Sequence, residues 1–127
     1  MKTDNPFKIE NKFYETSDVD RISKLIAHYE LYSKSIGLKG DIFEFGVFKG
    51  VSLIQLASFR KMFQEELDKK IVAFDTFDHF PETQFQADKK LREKFINEAG
   101  SKSIDKKELE KIFINKEIYN YSLIKGN

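Results

Sequence analysis

Gly40-Asp41-Ile42-Phe43-Glu44-Phe45-Gly46-Val47-Phe48-Lys49-Gly50 and, further on, Lys70-Ile71-Val72-Ala73-Phe74-Asp75 decide the fold of this chain. The first stretch opens with a β-rich run, Asp41 to Gly46, that breaks at a glycine. Aromatic and β-branched side chains suit a pleated, packed surface, and glycine permits the sharp turn that ends it. Behind that turn, Val51 to Leu67 places Leu53, Leu56, Ala57, Phe63 and Leu67 at helical spacing. Lys70 to Phe74 then forms a short, nearly continuous apolar run, as in a parallel strand covered on both faces, with Asp75 at its carboxyl end. The predicted order is strand, glycine turn, helix, strand. In such sheets ligands lie beyond the carboxyl ends of the strands, so the pair reads as a nucleoside-binding half site.

Working outward, residues 1–16 are polar with scattered Phe7, Ile9, Phe13 and Tyr14, and are expected to form an arm without regular structure. Ser17 or Asp18 can cap a helix carrying Ile22, Leu25, Ile26, Tyr29 and Ile36, with Gly37 placed to end it. On the other side, Thr76-Phe77-Asp78-His79-Phe80-Pro81-Glu82 is a loop opened by polar residues and fixed by proline. Ala87 to Ala99 sets Leu91, Phe95 and Ile96 on one side, which predicts a short amphipathic covering helix ending near Gly100. Asp105 with Glu108 resembles a capping box before the apolar face Leu109, Ile112 and Phe113. Tyr121 to Ile124 supplies a third strand. The right-handed crossover rule makes the three strands parallel in the order 3-2-1. Residues 17–127 thus read as an α/β, Rossmann-like unit that contains one half of a doubly wound sheet with its flanking helices.

Composition narrows the chemistry. A chain of 127 residues, 40% hydrophobic, with 13 phenylalanines and no tryptophan, suits one packed domain. Lysine and arginine total 22 against 21 acids, so a net charge of +1 provides no field for nucleic acid or an anionic membrane, and neither is an expected partner. The absence of cysteine removes disulfides, thiolate zinc sites and cysteine nucleophiles together. No apolar run approaches the ~20 residues of a membrane span, and Met1 to Glu15 lacks the apolar centre of a signal peptide, so a cytoplasmic protein is expected.

The glycine spacing selects among nucleosides. A dinucleotide fold uses Gly-x-Gly-x-x-Gly, whose second glycine admits the pyrophosphate, and Phe48 occupies that position here. A phosphate-free nucleoside fits better, and S-adenosylmethionine is such a ligand. Asp75 offers two carboxylate oxygens to the two ribose hydroxyls. Backbone amides and the Ser52 hydroxyl at the helix start can meet the methionine carboxylate, and Glu44 its ammonium. Phe45, Phe48, Phe77 and Phe80 cluster around that ligand in the sequence. Asp78, His79 and Glu82 fit no standard ligand pattern and read as a polar loop, so no metal ligands are assigned.

Gly40 to Ser52, then Ala73-Phe74-Asp75-Thr76-Phe77-Asp78 with Pro81 and Glu82, resemble the macrocin O-methyltransferase family of class I S-adenosylmethionine-dependent enzymes, several of which methylate sugar hydroxyls. Leu123-Ile124-Lys125-Gly126 look like that family's third strand and the turn after it. The resemblance implies that Glu44, Gly46, Gly50 and Ser52 bind the amino acid end of the cofactor, Asp75 the ribose, and that Thr76 and Phe77 lie beside the adenosine. Asn127 stands where the family usually carries an aspartate and would hydrogen-bond adenine as an amide. His79, Phe80 and Val51 also depart from the usual residues. The resemblance implies about four further strands in family members, of which the fourth strand supplies the acids implicated in Mg2+ and acceptor binding. The expectation is therefore the amino-terminal half of a methyltransferase domain, with a small-molecule or glycan acceptor and an open sheet edge prone to self-association. Two alternatives stand beside it: a noncatalytic module that pairs with another chain, and an NAD-binding Rossmann protein.

Overall fold

The computed structural model describes residues 5–80 and 86–126, and the chain forms two compact units, Met1–Ser35 and Ile36–Asn127. The first unit holds α1 (Pro6–Thr16) and α2 (Val19–Ser35). The arm expected to lack regular structure is thus helical over α1, and its cap explains why. The Asn5 side chain accepts the Phe7 N–H at 2.9 Å, and Pro6 takes the first helical position, where its fixed φ suits the helix and its missing N–H costs nothing. Of the two candidate caps for α2, Asp18 is the one used, accepting the Asp20 N–H at 3.1 Å. The chain leaves α2 through Gly37, whose φ of 78° is the left-handed turn that glycine allows.

The second unit is a three-stranded parallel sheet of β1 (Ile42–Phe45), β2 (Ile71–Asp75) and β3 (Tyr121–Lys125), with β2 in the centre as predicted. Helix α3 (Val51–Met62) joins β1 to β2, and α4 (Gln86–Ala99) and α5 (Lys106–Asn115) join β2 to β3. The register aligns Ile42 with Ile71 and Tyr121, and Glu44 with Ala73 and Leu123. Side chains alternate between faces along a strand, so these two rows share one face. There Ile71, Ala73 and Leu123 pack with Leu53 and Ala57 of α3 and with Leu109 and Phe113 of α5. Asp105 caps α5 as the sequence suggested, accepting the Lys107 N–H at 2.8 Å.

Burial is one-sided. The opposite rows, Phe43 with Val72 and Phe45 with Phe74 and Ile124, carry Phe43 at 60% and Phe45 at 77% exposure, while Val72 and Phe74 are half-buried. Double coverage of β2 is therefore not found among the described residues. β1 is an edge strand of the sheet with two exposed phenylalanines, a combination that templates pairing with another chain. The chain is expected to show concentration-dependent association in sedimentation velocity, and Phe43→Lys is expected to reduce it. A monomer at all concentrations would remove the edge as an association surface.

Helix α3 stops at Met62 rather than at Leu67, because Gln64 adopts a left-handed φ of 56°. The Glu65 N–H returns to the Arg60 carbonyl at 2.9 Å and the Gln64 N–H to that of Lys61 at 3.1 Å, a Schellman closure made without glycine. Leu67 is consequently 95% exposed. The turn that follows holds a buried ion pair, Lys69 to Glu65 at 3.1 Å, and Glu65 also accepts the Gly37 N–H at 3.2 Å.

Arg60, on the last turn of α3, is 1% exposed. Its Nη1 donates to the carbonyls of Lys69 at 2.8 Å and Asn120 at 2.9 Å, and its Nη2 to the carbonyl of Tyr119. One guanidinium thus fastens the entries of β2 and β3. Among the described residues no helix is long and apolar enough to cross a membrane.

Candidate functional site

The glycine turn after β1 is built around a strained phenylalanine. Phe48 has a φ of 54°, uncommon for a residue with a bulky side chain, and both its backbone groups are held. Its N–H donates to Asp75 Oδ2 at 3.2 Å, and its carbonyl accepts the Ile104 N–H at 2.7 Å. Val47, buried at the start of the turn, accepts the Gly50 N–H at 3.0 Å. Asp75 closes the arrangement from β2, its Oδ1 accepting the Thr76 N–H at 2.8 Å. The carboxylate therefore ties the ends of β1 and β2 together through two backbone amides.

Beyond these strand ends lies a cavity of about 670 Å³, lined by Phe45 and Gly46 at the end of β1, Phe74, Asp75 and Thr76 at the end of β2, and Ile124 and Gly126 at the end of β3. Phe48, Phe80 and Phe95 complete the wall. The Phe48 ring stacks on Phe80 with centroids 5.2 Å apart and meets Phe95 at 5.3 Å. Lys49 sets its ammonium over the same Phe48 ring, 5.2 Å from the centroid, and donates to the Lys102 carbonyl. The volume is in the range of small-molecule sites, which are mostly apolar with a few placed polar groups.

The positions singled out in the sequence divide around this cavity. Gly46, Asp75 and Thr76 line it, and so do Phe45, Phe48 and Phe80. Glu44 shares the row of Ala73 and so sits, half-buried, on the core face of the sheet, and Ser52 is half-buried in the first turn of α3; neither lines the cavity. Phe77, expected beside the adenosine, is 2% exposed with a φ of 52°, and its side chain belongs to the hydrophobic core and does not line the cavity. Pro81, Glu82 and Asn127 lie outside the described residues.

Gly50 has a packing role. Its φ is 88°, and a Cβ there would stand 3.0 Å from Leu109 Cδ1 of α5. Gly46, with a φ of 89°, has no protein atom within 4 Å of such a Cβ and is one of the residues that line the cavity. Gly50→Ala is expected to cost about 1–3 kcal/mol of stability from backbone strain and the clash. Gly46→Ala is expected to cost about 1 kcal/mol from strain alone and to weaken ligand binding as well. Thermal unfolding with and without ligand separates the two, and equal stability losses would contradict the packing role of Gly50.

Sequence reasoning missed Phe74, Phe95, Ile124 and Gly126 as wall residues. Phe74 and Ile124 were recoverable, since strand alternation in this register puts them in the row of Phe45. The Asp78–His79 pair, with Oδ1 and Nδ1 2.8 Å apart, is exposed, and this hydrogen bond holds the Asp78 carboxyl below its ordinary range. Among the described residues no group of three histidine, aspartate or glutamate side chains comes together as metal ligands do.

No family profile matches the chain, and no curated protein matches it by sequence. Solved structures do match. The O-methyltransferase NovP superposes with a TM-score of 0.66 at 20% identity, over 83% of this chain and 45% of its own. Calicheamicin methyltransferase CalS11 superposes with a TM-score of 0.62 at 20% identity, over 98% of this chain and 59% of its own. The apo form of CalS11, described as a TDP-rhamnose 3'-O-methyltransferase of calicheamicin biosynthesis, gives 0.56 at 22% identity over 96% and 48%. The chain spans about half the length of these structures. Three parallel strands with β2 in the centre, their flanking helices and these superpositions give this chain a Rossmann-like fold shared with part of those methyltransferase structures.

Proposed function

We propose that this chain forms the cofactor-binding part of an S-adenosylmethionine-dependent O-methyltransferase. The observation that carries the reading is the cavity at the carboxyl ends of all three strands, with the Asp75 carboxylate in a wall made largely of phenylalanine. A carboxylate has about four lone-pair directions. Asp75 commits one on each oxygen to a backbone amide, which leaves one on each for a ribose diol. The rings of Phe45, Phe48, Phe74, Phe80 and Phe95 present flat apolar surfaces suited to a purine and a thioether chain. Gly46 leaves room for the ligand to approach the backbone, and Thr76 adds a polar group beside Asp75.

The amino acid end of the ligand is assigned to the start of α3. That helix begins without a side-chain cap, so its first-turn amides and the Ser52 hydroxyl suit a carboxylate, and Glu44 suits the ammonium. Asn127 is kept as an adenine contact on the strength of its place in the motif, and Phe77 is given no side-chain contact. When bound, the cofactor supplies a sulfonium methyl group that a nucleophilic oxygen can take. A sugar hydroxyl is the proposed acceptor, supported by the likeness to CalS11.

Phe48 argues against a dinucleotide: its N–H is engaged by Asp75, and a bulky side chain stands in the cavity wall at the position where a dinucleotide fold uses its second glycine. Calorimetric titration of the folded chain with S-adenosylhomocysteine is expected to give saturable one-to-one binding, and titration with NAD none. Binding of NAD without binding of S-adenosylhomocysteine would overturn the reading.

A further inference from the structure

Phe45 and Phe74 are register partners at the ends of β1 and β2, and they immediately precede the cavity residues Gly46 and Asp75. Both rings line the cavity, stacked with centroids 4.9 Å apart and planes 9° from parallel. The Gly46 N–H donates to the Phe74 carbonyl at 2.7 Å, so the two strand ends stand side by side. Phe74 covers one face of the Phe45 ring, and with 77% of the residue exposed the other face is open. Phe45 takes no part in the buried core, so packing of the fold does not account for an aromatic ring at this position. The face of a phenylalanine ring carries a negative quadrupole, and a cation within about 6 Å of its centroid is attracted to it.

We infer that Phe45 is a specificity-determining residue that reads the charge on the cofactor's sulfur, its ring face receiving the sulfonium of S-adenosylmethionine. The inference rests on the cofactor reading above. In that reading Asp75 holds the ribose, and the amino acid end runs past Gly46 toward the start of α3. The sulfur joins those two parts of the ligand, so it passes the row of Phe45 and Phe74, whose residues directly precede both anchors. The neutral thioether of S-adenosylhomocysteine makes only apolar contact with the same ring. The ring therefore favours the charged cofactor over its demethylated product, and loss of the methyl group weakens the grip on what remains. The Asp75 carboxylate also attracts a positive sulfur, so the share of the ring shows only in a comparison that leaves Asp75 in place.

Calorimetric titration of the parent, Phe45→Leu and Phe45→Tyr with S-adenosylmethionine and with S-adenosylhomocysteine tests this. Phe45→Leu keeps apolar bulk but removes the ring face, and the ratio of S-adenosylmethionine affinity to S-adenosylhomocysteine affinity is expected to fall about fivefold. Phe45→Tyr retains the ring and is expected to keep the parental ratio. Circular dichroism on the same samples checks the fold, and Phe45→Ile gives the ring-free comparison where the leucine variant does not fold. A parental ratio in the folded ring-free variant overturns the charge reading whatever the absolute affinities, as does a tyrosine variant whose ratio falls as far. In either case S-adenosylhomocysteine binding by the parent leaves the cofactor reading standing. A folded parent chain that binds neither ligand fails the cofactor reading itself and takes the charge reading with it.

Discussion

Asp75→Ala is expected to weaken S-adenosylhomocysteine binding by about a hundredfold or more. The alanine removes both proposed ribose acceptors, and hydrogen bonds to a charged group contribute about 1.5–3 kcal/mol each, so a loss of about 3 kcal/mol is the lower bound. It also releases the Phe48 amide, which Asp75 Oδ2 holds in a left-handed conformation, so the cavity wall loosens at the same time. Asp75→Asn separates these effects. The amide oxygen retains one acceptor while the charge and the second acceptor go, and an intermediate loss of about tenfold is expected. Calorimetry supplies the affinities, and circular dichroism on the same samples establishes that the chain is still folded. Binding by a folded Asp75→Ala chain within about threefold of the parent would remove Asp75 from the site.

The largest stability effect is expected at Arg60. Arg60→Ala deletes a buried guanidinium and leaves the carbonyls of Lys69, Tyr119 and Asn120 without that donor. A buried acceptor that loses its partner costs about 1–3 kcal/mol, which applies in full to the Lys69 carbonyl and in part to the part-buried contacts of Tyr119 and Asn120, and the truncated side chain leaves a cavity beside them. A destabilisation of about 3–5 kcal/mol follows, a large share of the roughly 5–15 kcal/mol typical of a folded domain. Urea unfolding followed by far-ultraviolet circular dichroism measures it. Arg60→Lys, which keeps a charge and stem but not the planar fork, is expected to recover only part of the loss. A cost below about 1 kcal/mol for the alanine variant would mean that the strand entries do not depend on this side chain.

What could be read from the sequence was what depends on short-range pattern. The apolar runs ending in Gly46, Asp75 and Ile124 specified three strands, and the glycine turn and acid at the ends of the first two pointed to the place where the cavity lies. The helix over Pro6–Thr16 had a legible start in Asn5-Pro6, but its scattered apolar residues formed no core-facing stripe and none of its side chains is buried. The early stop of α3 was hidden because the left-handed residue is Gln64, where glycine is the usual signal. The burial of the Phe77 side chain in the core was hidden because a positive φ at a bulky residue carries no mark in sequence. Arg60 was invisible for a different reason. An arginine on a helix reads as solvated, and its acceptors lie up to 60 positions away in the chain.

The parallel register has a consequence for how the chain reaches and leaves its native state. Neither strand pair of the described sheet is a hairpin: Ile42 aligns with Ile71 and Ile71 with Tyr121, so long loops must close before the first rung of either ladder forms. Two of the three carbonyls that hold the Arg60 guanidinium, those of Tyr119 and Asn120, come from 59 and 60 positions away and join it only as β3 docks. A contact absent from the folding transition state acts on the rate of escape and leaves the rate of arrival nearly unchanged. Arg60 is in that sense a latch, and Arg60→Ala is expected to raise the unfolding rate more than it lowers the folding rate.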